Sequence, residues 1–359
     1  MKLPDFPWDT LAPYGARARE HESGAIDLSQ GTPVDPTPDF IQEELRKFSN
    51  SPGYPVTAGT VELQQSISDY VHNRLHGSGE FGVLPSIGSK ELVALLPNLL
   101  EAKRILIPKI AYPTYLVSGI FCGADVREVE IDPGSWPTDV DLVWINNPSN
   151  PTGRVHSNLE LDAVIAWSRK NKVIVASDEC YLPFPDSKES LSILQRANGD
   201  NSNLLALHSL SKRSNLAGYR AGFVAGDSAL IKRLLEIRKH LGMMMPLPIQ
   251  RAMTVALQDE KHVKDQAERY RARRSRLAPA LISSGFRIEY SEAGLYIWCT
   301  RDELDWQSVS WFAERGILVT PGSFYGSSAS QFIRIALTSS DEKINEVKAT
   351  RINCDADEP

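Results

Sequence analysis

Lys212 stands in the run HSLSKRSNLAGYR (208–220), among small hydroxyl and glycine residues and just after the apolar stretch 204–207. A lysine taken out of water gives up its proton readily and can act as a Schiff-base nucleophile, whereas a lysine on a solvated face stays charged. Its neighbours narrow the chemistry. Ser209 and Ser211 carry hydroxyls and Arg220 a planar guanidinium, a set suited to a phosphate group. Gly88-Ser89-Lys90 opens a predicted helix that runs to Leu100, and adds backbone N–H groups and the positive end of that helix. Asp178 follows VIVAS directly, so its carboxylate is expected at the rim of a buried strand, where it needs a partner unless it merely caps a loop. Together these residues describe a site for a phosphorylated aldehyde.

Such residues converge only if the chain brings strand ends together. From about residue 82, strand-length apolar runs (81–84, 104–107, 125–131, 141–145, 173–176, 204–207 and 221–225) alternate with amphipathic helical ones (89–100, 112–122 and 159–171). This alternation predicts an α/β fold with a mostly parallel sheet covered by helices, whose ligands gather at the carboxyl ends of the strands. Near residue 240 the texture changes: a helical pattern from Ser228 meets GMMMPLP (242–248), where two prolines interrupt it. Beyond come a long charged helix (about 258–284), short strands (286–290, 295–298, 332–337) and a helix near 306–315, which read as a smaller α+β domain. Residues 1–40, with six prolines, read as an extended arm that belongs partly to the small domain. Residues 41–240 then form the large domain and 241–359 the small C-terminal one, with a disordered tail expected from Cys354 to Pro359.

The 359 residues are 42% hydrophobic, ample for two cores, and the net charge of −6 argues against nucleic acid or an anionic membrane as partner. The basic run Arg271, Arg273, Arg274, Arg276 reads as the solvated face of the charged helix. Cys122, Cys180, Cys299 and Cys354 show neither metal-ligand spacing nor a disulfide framework, so no metal site is expected and a reducing cytoplasm fits. No leader or membrane-spanning segment is read in the chain.

Across nearly its whole length the sequence resembles the fold-type I pyridoxal-5′-phosphate enzymes of the class I/II aminotransferase family. The matching segments, in the family's order, are GTPVDPTP (31–38), YPVTAG (54–59), GSKE (88–91), AYPTY (111–115), NNPSNPTG (146–153), SDECY (177–181), SLSKRSNLAGYRAG (209–222) and FIRIAL (332–337). The resemblance implies that Lys212 forms the internal aldimine and shuttles the proton between the substrate Cα and C4′ of the cofactor. It implies that Asp178 keeps the pyridine nitrogen protonated, that Tyr181 and Asn150 bond the phenolic oxygen, and that Tyr112 stacks on the ring. Ser89, the backbone of Lys90, Ser209 and Arg220 would hold the phosphate, joined by Tyr54 from the second subunit of a homodimer with shared active sites. Arg334 would clamp the substrate α-carboxylate, with Gly31 and Asn150 beside it.

Among other classes, Ser209–Lys212 matches S-x-x-K, the nucleophile motif of penicillin-binding proteins, but K-T-G and S-D-N are absent. A non-catalytic relative of the same fold would have no need of Lys212, Asp178 and Arg334 together. The substrates implied are an amino acid and a 2-oxo acid. The wording of the motifs is most similar to actinobacterial N-succinyldiaminopimelate aminotransferases of lysine biosynthesis, which use glutamate as amino donor. General aspartate, alanine or aromatic aminotransferases, and less closely a C–S lyase, stay open. A second distant carboxylate would need further donors, for which Lys90, Arg154, Arg213 and the loop PGSFYGSS (321–328) stand within reach by chain position, while GMMMPLP could line an apolar wall.

Overall fold

Successive residues of a strand face opposite sides of its sheet, so a strand apolar throughout must be covered on both. In the computed structural model, which describes residues 3–352, this is how the main sheet is built. Its seven strands lie in the order Gly82–Ile87, Ala221–Gly226, Leu204–Ser209, Ile174–Asp178, Leu142–Asn146, Arg104–Pro108, Asp125–Val129. All pairings are parallel except the two made by Ala221–Gly226, which is antiparallel to both neighbours. Val143, Ile145, Val175, Leu204 and Ala206 pack on one face, against helices Val61–Asn73, Asn158–Asn171 and Leu247–Gln258. Leu142, Trp144, Ala176, Leu205 and Leu207 pack on the other, against Ser89–Leu99, Thr114–Cys122 and Ser228–Leu241. The expected α/β fold is therefore present.

A second, antiparallel sheet runs Thr320–Pro321, Ile333–Ala336, Tyr296–Thr300, Arg287–Tyr290 and has its own core with the long helix Lys261–Ser283. On that helix Arg273 is buried rather than solvated, contrary to the reading of the basic run. Its guanidinium makes a two-pronged contact with Asp35 and a further one with Asp341. Arg274 is likewise buried, bonded to Ser291 and Asp186.

The N-terminal segment is also not extended throughout. Pro7–Leu11 and Ala12–Arg19 are helical, because Leu11 and Ala18 have an apolar surface to bury, the latter segment lying against helix Asp305–Glu314. Ile26–Asp27 then pairs in parallel with Ile317–Leu318, tying the segment to the second core. Helix Leu247–Gln258 buries Ala252, Met253 and Ala256 on the main sheet's side, past the residue-240 boundary read from the prolines. The tail from Cys354, read as disordered, lies outside the described residues. Among the described residues no helix is long and apolar enough to cross a membrane.

Leu207 is fully buried near the end of the central strand that leads to Ser209. Leu207→Ala is expected to destabilise the protein by about 2–5 kcal/mol through the cavity it leaves, as read by denaturant unfolding.

Candidate active site

The carboxyl ends of the central strands open into a cleft of about 350 Å³. It gathers Gly31, Ser89, Lys90, Tyr112, Asn150, Asp178, Tyr181, Ser209, Lys212, Arg220 and Arg334 from segments far apart in the chain. Asp178 ends its strand at the floor, where Tyr115 Oη donates to Oδ2 at 2.8 Å and the Cys180 amide to Oδ1 at 3.2 Å. Burial raises the Asp178 pKa above the usual carboxylate range, and the thiol, hydroxyl and amide bonds pull against it. Tyr115 is itself stacked on Trp144 at 5.0 Å, which fixes the donor.

Lys212 sits on the single turn Leu210–Arg213, next to the strand of Asp178. Ser209 caps that turn by accepting the Ser211 amide at 3.1 Å. The turn is anchored from behind: Arg213 donates to Ala256 O at 2.7 Å and to Glu260, and Ser214 meets His262 Nε2 at 2.8 Å. Loss of water is the largest influence on the Lys212 ammonium; with Cys180 opposing it and nearby Arg334 and Arg220 adding to it, the pKa is lowered to about 8.

At one end of the cleft, hydroxyls of Ser89, Ser209 and Ser211 and the guanidinium of Arg220 surround the first turn of helix Ser89–Leu99. Gly88 precedes that turn with φ 71°, and a Cβ there would stand 2.3 Å from Arg220 Nη2, so the arginine can lie over the helix start only above a glycine. Cys180 Sγ donates to Ser89 Oγ at 3.1 Å. At the other end, Arg334 from the second sheet donates through Nη1 to Asn150 Oδ1 at 2.9 Å and through Nη2 to Ser29 O at 2.5 Å. Its buried Nε has no hydrogen-bond partner. A guanidinium held by two bonds with a donor to spare is suited to a carboxylate. Asn150 is set in turn by its amide, which donates to Asn146 Oδ1 at 2.6 Å.

Several candidates fall elsewhere. Tyr54 is 95% exposed and outside the cleft of its own chain. Arg213, read as within reach of a distal carboxylate, is consumed by Glu260, Ala256 and the ring of Tyr70, and does not line the cleft. Arg154 pairs with Glu160 at 2.6 Å, also outside it. The loop 321–328 does not line the cleft but packs behind it, with the Tyr325 ring 5.1 Å from the Arg334 guanidinium and the Phe324 ring 5.4 Å from Trp8. Met245 of GMMMPLP is in the core on the main sheet's side. Conversely, Phe6, Trp8, Gln30, Thr32, Cys180 and Tyr296 line the cleft without having been singled out. Phe6 and Trp8 come from the misread arm; Tyr296 sits in an ordinary apolar strand and carries no motif.

The fold and a lysine, aspartate and arginine facing one phosphate-sized cradle define an enzyme class rather than a binding module. Residues 23–351 match the family model for aminotransferases of class I and II, and the chain belongs to that family. Its cofactor is pyridoxal 5′-phosphate. The chain is 49% identical to a probable aminotransferase of Mycobacterium tuberculosis, over 95% of this chain and 84% of that protein. It is 46% identical to the 4-dedimethylamino-4-oxo-anhydrotetracycline transaminase OxyQ of Streptomyces rimosus, over 96% and 97%. Among solved structures it is similar to a probable N-succinyldiaminopimelate aminotransferase of Thermus thermophilus, with a TM-score of 0.89, 26% identity and coverage of 97% and 99%.

In the cofactor-free protein, Lys212 is expected to react with an acylating reagent along a pH curve centred near 8, well below exposed lysines. The sign follows from desolvation: the charged form is disfavoured, so the free amine appears at lower pH. Competitive labelling read by mass spectrometry checks this; a midpoint near that of the surface lysines would remove the desolvation argument.

Proposed function

We propose that this aminotransferase passes an amino group from glutamate to N-succinyl-2-amino-6-oxopimelate, in the cytoplasm and as a homodimer. The observation that carries the substrate reading is the charge distribution of the cleft. Arg334 serves one carboxylate, and Lys90 stands exposed across the cleft, its Nζ 5.9 Å from the Phe6 ring, free for a second carboxylate farther out. The similarity to a structure named for N-succinyldiaminopimelate supports the same reading.

The cofactor fits the residues present: an anion-binding end, a carboxylate at the floor and a half-buried amine between them. When bound, it supplies an aldehyde carbon and a ring that accepts electrons from the substrate Cα. Lys212 Nζ would take the proton from Cα and deliver it to the cofactor's aldehyde carbon. Asp178, kept in place by Tyr115 and the Cys180 amide, would hold the proton on the ring nitrogen. Tyr181 and Asn150 would bond the phenolic oxygen, and Tyr112 would cover the ring. Ser89, the Lys90 amide, Ser209 and Arg220 bind the phosphate, with Tyr54 of each subunit reaching its neighbour's cleft, a role consistent with its exposure. Arg334, with Gly31 and Asn150, orients the α-carboxylate. We further propose that residues 1–40 form an arm joined to the small domain, that the large domain extends from 41 to about 258, and that the small one follows. Two separate cores support this division.

A second reading is favoured by the aromatic side of the mouth. Phe6 and Trp8 line it, 5.4 Å apart, and would suit an acceptor with a large apolar body, the kind named for OxyQ.

Lys212→Ala should leave the protein folded, with an unchanged melting temperature to within a few degrees, while turnover falls by about 10²- to 10⁴-fold or more. Near-normal transamination in that variant would end the assignment of the amine. Spectral titration with glutamate and then with the succinylated oxo acid tests the substrate: reversal of the glutamate-induced change supports the first reading. Reversal only by an oxo compound with a bulky ring supports the second. Lys90→Ala should raise KM for the succinylated acceptor about 3- to 5-fold and leave that for glutamate unchanged.

A further inference from the structure

Tyr296 is buried in the strand Tyr296–Thr300, 3% exposed, and belongs to none of the motifs. Its side chain nevertheless touches both halves of the site. The hydroxyl lies 3.0 Å from Tyr181 Oη, with the two rings edge to face at 5.5 Å. The ring itself lies under the Arg334 guanidinium, 4.1 Å from its carbon. The strand register explains this reach: Trp298 stands opposite Arg334, so Tyr296 is the diagonal neighbour on the same face. The third contact is with Gly31, where any Cβ would stand 2.1 Å from Tyr296 Oη. A hydroxyl in that position is therefore accommodated by a residue without a side chain.

A phenol has one proton to donate and lone pairs to accept with. If Tyr181 bonds the phenolic oxygen of the cofactor, that oxygen, being anionic in the catalytic form, can only accept. The Tyr181 proton is then committed to it, and Tyr181 Oη can meet Tyr296 only as acceptor. We propose that Tyr296 is a positioning residue that donates its hydroxyl proton to Tyr181, turning the Tyr181 proton toward the phenolic oxygen and strengthening that bond. The inference rests on the reading of Tyr181 given above.

Hydrogen bonds in such a chain polarise one another, and burial enlarges the effect. Arg334 from the neighbouring strand and Cys180 from the end of the main sheet lie close to Tyr181, and Tyr325 and Tyr270 lie close to Tyr296; of these, Cys180 holds the Tyr181 proton and Arg334 opposes it. Burial is the largest influence on the Tyr181 hydroxyl and holds it protonated well above the ordinary tyrosine range, so that it remains a donor.

The test is the pH titration of the visible band of the holoenzyme in wild type, Tyr296→Phe, Tyr181→Phe and the double variant. A donor to the phenolic oxygen favours its anionic form, so weakening the donor moves the midpoint up. Tyr296→Phe, which keeps the ring over Arg334, should raise the midpoint by about 0.3–0.7 pH unit. Tyr181→Phe should raise it further, and adding Tyr296→Phe to that variant should change nothing more. A rise in Tyr181→Phe with none in Tyr296→Phe overturns the relay and leaves the reading of Tyr181 intact. No rise in Tyr181→Phe overturns that reading and the relay with it. A full additional rise in the double variant shows that Tyr296 acts by another route and also overturns the proposal.

Discussion

Burial at the carboxyl edge of the main sheet acts in opposite directions on the two titratable groups stationed there, Lys212 and Asp178. Lys212 and Asp178 terminate neighbouring segments of the same parallel pair, and burial is the leading influence on both. It makes the amine easier to deprotonate and the carboxyl harder. A lysine in this condition is a nucleophile near neutral pH, and a carboxyl in this condition seeks a cationic partner. Each cost of desolvation thus becomes an affinity for a ligand group that relieves it. Everything else in the large sheet serves to keep those two residues where water is scarce: strands covered on both faces, and a single turn fixed by Arg213 and Ser214.

The arginine end of the cleft has a different origin. Arg334 comes from the antiparallel sheet, yet it bonds Asn150 from the large sheet's loops and Ser29 from the N-terminal segment. Three parts of the chain therefore meet at one guanidinium. The N-terminal segment is held there by Ile26–Asp27 in its two-stranded pairing and, farther on, by Asp35 against the buried Arg273. Of the rings beside Arg334, Tyr296 packs on the second core and lines the cleft, while Tyr325 packs with Trp298 and Ala329.

Much of this was legible in the chain. Continuously apolar runs of strand length separated by helical ones predicted the sheet because a strand covered on both faces has no polar side to show. Small hydroxyls, glycine and charge placed just past those runs marked the cleft, because a polar group at a strand end is where side chains can converge. Lys212, Asp178 and Ser209 follow this rule, while Arg220 reaches the same edge from just before the antiparallel strand Ala221–Gly226. Legibility failed where a residue's type fitted two environments equally well. Arg213 and Arg273 look like solvated cations in sequence, but acidic partners at distant positions, Glu260 and Asp35, draw them into the core. The proline-rich start looked extended, although Pro7 and Pro13 occupy helix first turns, where the missing N–H costs nothing.

The amino-acid sequence by itself determined the alternation of elements, the family and the residues that can do the chemistry, because these depend on local periodicity and on residue type at strand ends. Only the tertiary structure decided which cations remain free and which are spent on ion pairs, and which aromatics reach the cleft. It also placed Tyr296 between Tyr181 and Arg334. These outcomes depend on distances between residues more than 35 positions apart in the chain, such as Tyr296 and Arg334. Long-range pairing of strands sets those distances, and no local pattern encodes them.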